Sequence, residues 1–183
     1  MGRSIKPRYS IIGIMICLLF FGCKSEKEQV KDKIEQMKSC PIDLCLDKME
    51  CRRNPVKKLD RKYTMVVYVD SSECSPCALS KLRFWNPLIA EAKKKRVDIN
   101  YIFILDPKRD EMEDVNIELD ITDLPSSIYV DTAHVFSNRN DLIPKDQRYH
   151  SFLLDKRLNV IFVGSPIENE NVKRVYKKVI NNK

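Results

Sequence analysis

The chain has 183 residues, 43% of them hydrophobic and 32% charged, and carries a formal net charge of +7. That length suits one domain of ordinary size, and the composition is not that of a disordered protein. The positive excess is mild: Arg3, Lys6 and Arg8 lie at the very start, and without them it falls to +4, too little to point to nucleic acid as a partner.

The chain opens with "MGRSIKPRYSIIGIMICLLFFGC", in which three cations precede an apolar run from Ile11 to Phe21. This is the pattern of an export signal, and the run is short for a membrane-spanning helix. Its end, Leu19-Phe20-Phe21-Gly22-Cys23, resembles the bacterial lipobox, although Phe20 and Phe21 depart from the usual residues. That resemblance implies a signal peptide over 1–22 and lipidation of Cys23, which anchors the protein to a membrane through its acyl chains. A non-lipidated secretory signal and a retained N-terminal anchor are the alternatives. Residues 23–39 then form the lipidated N-terminus and a polar tether, with only Val30, Ile34 and Met37 at helical spacing.

Beyond the tether, "CPIDLCLDKMEC" alternates Ile42, Leu44 and Leu46 with polar or small residues, which predicts a half-buried strand, and "RRNPVKKLDRK" reads as a loop. "YTMVVYVD", Tyr63 to Asp70, is an apolar β-branched run typical of a strand covered on both faces. After it comes Cys74-Ser75-Pro76-Cys77, and then a helical pattern through Leu79, Leu82, Leu88, Ile89 and Ala92 that Pro87 should kink. The run from Lys93 to Arg96 ends this helix, where cations complement the dipole and stay solvated.

"VDINYIFILD" is a second buried strand, and "KRDEMEDVNIELDI" a partly helical crossover, an order that favours parallel strands. "SSIYVD" is a further strand, and the segment from there to His150 reads as an irregular insertion. "SFLLD" and "NVIFVG" form a hairpin, followed by an amphipathic terminal helix bearing Val172, Val175, Tyr176, Val179 and Ile180.

The Cys74/Cys77 pair carries the chemistry. At a helix start the unpaired amides and the dipole stabilise a thiolate, and only the thiolate attacks a disulfide. Cys74 is then the nucleophile and Cys77 the thiol that resolves the mixed disulfide. A structural disulfide and a metal site are the competing readings. A structural zinc site needs four ligands, and the only histidines, His134 and His150, lie far from the pair in sequence. Cys40, Cys45 and Cys51 have no familiar zinc spacing, and a Cys40–Cys51 bridge is the simplest use of two of them.

The strand, the Cys-x-Pro-Cys at a helix start, the β-α-β order and the ending "SFLLDKRLNVIFVG" plus a helix resemble the thioredoxin-like fold, in particular the TlpA-like (redoxin) exported thiol:disulfide oxidoreductases. The likeness runs from about Tyr63 to the C-terminus. It implies an α/β protein over 40–183, a three-layer α/β/α sandwich around a mixed sheet. Cys74 and Cys77 carry over as the catalytic pair, and no cofactor is implied. The implied partners are protein disulfides or dithiols, and the implied location is the periplasmic side of a bacterial membrane.

Two positions depart from the family, and Glu73 and His150 there join Pro76 as the candidate modulating residues. Glu73 replaces the aromatic residue before the first cysteine. Tyr149-His150 replaces a cis-proline that in the family faces the disulfide, helps the substrate chain to pair and keeps metal from the thiols. Pro125 takes that role only if the segment between is an insertion. A carboxylate at Glu73 disfavours the Cys74 thiolate, which makes the couple more reducing and favours a reductase over an oxidant. His150 is a candidate proton relay. A peroxiredoxin-like peroxidase fits poorly, because "VDSSEC" lacks the Pro and Thr expected there. A non-catalytic binding module with a structural disulfide is the remaining alternative.

Overall fold

The computed structural model describes residues 25–181. The expected signal peptide and Cys23 lie outside the described residues. Among the described residues no helix is long and apolar enough to cross a membrane. Contacts divide the chain into two units, residues 1–32 and residues 33–183.

Helix α1 (Glu26–Met37) starts on a reciprocal cap. Glu28 N–H donates to Ser25 Oγ at 3.3 Å, and Ser25 N–H donates to the Glu28 carboxylate at 3.0 Å. The tether is thus helical through most of its length, and within the second unit Met37 is buried.

The second unit is built on a six-stranded mixed sheet. In chain order its elements are β1 (Glu50–Arg53), β2 (Tyr63–Val69), α2 (Ser75–Leu82), α3 (Asn86–Lys94), β3 (Ile99–Leu105), α4 (Met112–Ile121), β4 (Ser127–Val130), α5 (Val135–Arg139), β5 (Ser151–Asp155), β6 (Val160–Val163) and α6 (Glu170–Asn181). The strand order is β1-β4-β3-β2-β5-β6. Strands β2, β3 and β4 run parallel, while β1, β5 and β6 pair antiparallel with their neighbours.

All seven residues of β2 are buried, because each face of the sheet meets its own core. Met65, Val67 and Val69 join Phe103 and Leu105 under α2, α3, α4 and α6. Val66 and Tyr68 join Ile102, Ile104 and Phe152 on the other face, covered by Met37, Ile42, Leu44 and Phe136 of α5.

Four expectations are corrected. The strand at Ile42–Leu46 does not form. Ile42 and Leu44 are buried, but Cys45 takes a left-handed conformation (φ 48°) and a 3-10 turn follows over Leu46–Lys48. Alternation there reports burial without ladder pairing. The edge strand is instead β1, which takes in Arg52 and Arg53 from the start of the expected loop. Its Arg53 guanidinium donates to the carbonyls of Thr122 and Leu119, satisfying the C-terminal end of α4. At Pro87 the chain does not kink but breaks: α2 ends at Leu82, a 3-10 turn covers Arg83–Trp85, and α3 starts with Pro87 in its first turn. On α6, Tyr176 is fully buried while Val175 is half exposed, so the apolar face is narrower than its spacing suggested.

A charged contact ties α6 to α3. Glu91 accepts from Lys177 at 2.7 Å and from Lys95 at 2.8 Å, and these bonds hold its carboxyl down from 4.5 to about 2. A depressed acid contributes stability above its unfolded pKa and loses it as pH falls through the folded value. The contribution therefore disappears between about pH 4.5 and about pH 2. Because the Glu91 side chain is 34% exposed, Glu91→Gln should cost about 1 kcal/mol or less at pH 7 and little at pH 2. Urea midpoints of the two proteins across that range check this; parallel curves at every pH would contradict it.

Candidate active site

Strand β2 ends at the centre of the sheet and delivers the chain into a turn that leads to α2. Cys74 is the N-cap of α2, and its Sγ accepts the Cys77 N–H at 3.3 Å. The two sulfurs form a disulfide with the Cα atoms 5.3 Å apart. Pro76 sits in the first helical turn, where its missing N–H costs nothing and its fixed φ suits the helix. Both cysteines are exposed, whereas the intervening Ser75 is fully buried.

The disulfide opens into a cleft of about 540 Å³ whose walls include Glu73, Leu82, Trp85, His150 and Ile167. Glu73 and His150 thus line the cleft beside the pair with their side chains close together, as a consequence of strand pairing. β2 runs antiparallel to β5 with Val67 opposite Ser151, and the Tyr68 N–H donates to the His150 carbonyl at 2.8 Å. His150 lies at the entrance to β5, 3% exposed, with its ring 5.2 Å from that of Tyr68. Its Nε2 lies 2.9 Å from the Pro144 carbonyl, an acceptor, so Nε2 carries the proton. Its Nδ1 lies 3.7 Å from Glu73 Oε1.

No peptide bond among the described residues is cis. Pro125 does not substitute for the missing proline. It lines a different cleft with Asn54, Ala92 and Tyr101, beside the N-terminal end of β3.

The fold adds residues that the sequence reading missed. Glu111, 36 positions beyond Ser75, turns its carboxylate to the Ser75 N–H at 3.4 Å and so occupies one of the free amides of α2. Asp106 directly follows β3 and is 1% exposed. It accepts from the Tyr68 hydroxyl at 3.0 Å and pairs with His134 Nδ1 at 2.6 Å. Burial pushes the Asp106 carboxyl up, against the Tyr68 and His134 bonds that pull it down. An apolar strand ending in Asp is the one sequence signal that marks Asp70 and Asp106; nothing local marks Glu111.

Cys40, Cys45 and Cys51 are free thiols, so the expected Cys40–Cys51 bridge is absent. Cys40 and Cys51 are exposed, while burial, with Asp43 adding to it, pushes the Cys45 thiol up from 9.0 to about 11. A shift of that size leaves about a hundredfold less thiolate at neutral pH. Mass spectrometry of the native protein treated with iodoacetamide should find Cys40 and Cys51 modified well before Cys45. Equal rates at the three would show that Cys45 is not enclosed.

No protein-family model matches the sequence, and no curated protein does. Solved structures do match. Yeast Sco1 with copper bound is 19% identical, with a TM-score of 0.50 over 74% of this chain and 90% of that chain. A thioredoxin-like protein in its oxidised form is 16% identical, with a TM-score of 0.49 over 80% of this chain and 99% of that chain. The thioredoxin domain of a thiol-disulfide oxidoreductase from Bacteroides vulgatus is 16% identical, with a TM-score of 0.46 over 77% and 91%. At 19% identity and a TM-score of 0.50 the likeness to Sco1 speaks to architecture alone, and so does the mixed sheet with Cys74 and Cys77 at the start of α2. The chain has a thioredoxin-like fold.

Proposed function

We propose that the protein is a thiol:disulfide oxidoreductase that exchanges two electrons with partner proteins through Cys74 and Cys77. The observation that carries this reading is a surface disulfide at a helix N-terminus, opening into a cleft. In the reducing direction the Cys74 thiolate attacks a partner disulfide, and one partner sulfur leaves as a thiolate. Cys77, deprotonated, then attacks Cys74 Sγ, which releases the second partner thiolate and leaves the Cys74–Cys77 disulfide. Both electrons come from the dithiol, which another dithiol protein must regenerate. Lipidation of Cys23 after an export signal would put this chemistry on the periplasmic side of a bacterial membrane.

The direction is that of a reductase. Glu73 adjoins Cys74 in the chain, and Glu111 occupies a helix amide that would otherwise favour negative charge at Cys74. Both disfavour the thiolate, which destabilises the reduced form and lowers the potential. Glu73→Gln in metal-free buffer should raise the potential by on the order of 15–30 mV, a tenfold change or less in the exchange constant.

The deciding experiment equilibrates the protein in thiol buffers, then alkylates it and reads the Cys74–Cys77 state by mass spectrometry. A reversible couple within the range of known oxidoreductases supports the reading, and its value gives the direction. The second reading, a binding module whose disulfide is a staple, draws on the buried His150 where the family has its proline. It requires a pair that stays oxidised throughout.

A further inference from the structure

Asp70 follows β2, Glu73 precedes α2, and His150 precedes β5, so pairing of β2 with β5 gathers them at one end of the sheet. One potential ligand atom from each lies within 4.8 Å of the other two. The Asp70 carboxylate is held by its own turn: Oδ1 accepts from the Ser72 N–H at 2.9 Å and from the Ser72 hydroxyl at 2.5 Å, which leaves Oδ2 for another partner.

His150 supplies an independent sign of a ligand. Its side chain is 4% exposed, and donation from Nε2 to the Pro144 carbonyl leaves the lone pair on Nδ1. Among the described residues Nδ1 has no hydrogen-bond partner. It faces Glu73 Oε1 at 3.7 Å, too far for a hydrogen bond. A buried lone pair turned toward a carboxylate is an unfavourable arrangement that an electron-pair acceptor between the two would relieve.

We propose that Asp70, Glu73 and His150 bind one divalent first-row transition ion beside the Cys74–Cys77 disulfide. Such an ion bonds nitrogen and oxygen at about 2.0–2.2 Å, which sets neighbouring ligand atoms roughly 3.0–3.5 Å apart. The Nδ1 to Oε1 gap therefore closes by a few tenths of an ångström of side-chain rotation. Two carboxylates match the charge of a divalent ion. One imidazole with two carboxylates suits Zn²⁺, Fe²⁺ or Mn²⁺, whereas Cu⁺ prefers sulfur. The bond from His150 Nε2 to a backbone carbonyl is the outer contact that ligating imidazoles carry, fixing tautomer and ring orientation. Three protein ligands leave further positions for water or a substrate group. The site uses neither sulfur, so it does not rest on the redox reading.

The test titrates Zn²⁺ by calorimetry into the full chain in detergent, oxidised so that Cys74 and Cys77 offer no thiolate, and alkylated at Cys40 and Cys51. One ion per chain is expected, with affinity falling about tenfold or more in both His150→Gln and Glu73→Gln. Zinc-edge X-ray absorption should show nitrogen and oxygen ligands without sulfur. Glu73 is partly exposed, so its variant keeps the test decisive if the buried His150→Gln fails to fold. Absence of binding to the oxidised protein overturns the proposal, as does affinity unchanged in Glu73→Gln, or sulfur in the coordination shell. An imidazolium–carboxylate pair between His150 and Glu73 would give the first of these results.

Discussion

Cys74→Ser should reduce turnover of a disulfide substrate by at least about a thousandfold, while Cys77→Ser retains the first attack and accumulates a mixed disulfide with the partner. The asymmetry follows from position. Cys74 is the N-cap of α2, and its sulfur already accepts the Cys77 amide, so charge developing there meets the helix terminus. Cys77 lies one turn further on, where its part is to attack Cys74 and release the partner. Serine keeps the cap's hydrogen bond at position 74, so loss of activity in that variant does not reflect loss of the helix. The assay is stopped-flow reduction of a model protein disulfide, with intermediates trapped by acid and weighed. Equal loss in both variants without any mixed disulfide would mean that the two sulfurs do not divide the work in this way. Wild-type activity in Cys74→Ser would remove the pair from the chemistry altogether.

Trp85→Ala should destabilise the domain by about 3–5 kcal/mol, the largest effect expected of a single core substitution here. Trp85 lies in the 3-10 turn between α2 and α3, is 2% exposed, and meets the edge of Phe103 with ring centroids 5.8 Å apart. It is one of the largest fully enclosed side chains, and it also lines the cleft below Cys77. Truncation leaves a void between the turn and Phe103 of β3, and the cost grows with the part of it that the surroundings do not fill. For a domain of this size each kcal/mol moves the thermal midpoint by about 2–4 °C. Urea unfolding of the oxidised protein measures the loss, and Trp85→Phe, which keeps an aromatic ring against Phe103, should recover much of it. A cost below about 1 kcal/mol would show that the region repacks freely, and that the turn at Pro87 is not anchored by this ring.

Local pattern carried much of the architecture. The unbroken apolar runs at Tyr63–Val69 and Ile99–Leu105 mark the two central strands because a strand buried on both faces has no polar side to show. "SFLLD" and "NVIFVG" announce a hairpin through a short polar turn, and the structure pairs Phe152 with Val163. Cys74 and Cys77 were legible because cap, proline and spacing all lie within four residues. Where pattern misled, it misled for a definite reason. At Ile42–Leu46 it detected burial and inferred pairing, yet the Ile42 N–H bonds the Leu158 carbonyl outside any ladder. At β1 the charged residues hid a strand, because Arg53 is satisfied by the end of a helix nearly seventy positions away.

The sequence by itself therefore determined the Cys74/Cys77 pair at a helix start and the central β-α-β frame, since both depend on interactions between near neighbours in the chain. Tertiary structure alone decided what surrounds the disulfide. The β2–β5 register sets His150 against Glu73, the path after β3 sets Glu111 at the start of α2, and the position of β4 takes Pro125 out of the cleft. Nothing local encodes these meetings. They follow from which strands are neighbours and in what register, and a shift of one residue in β5 would turn its buried side chains to the opposite face.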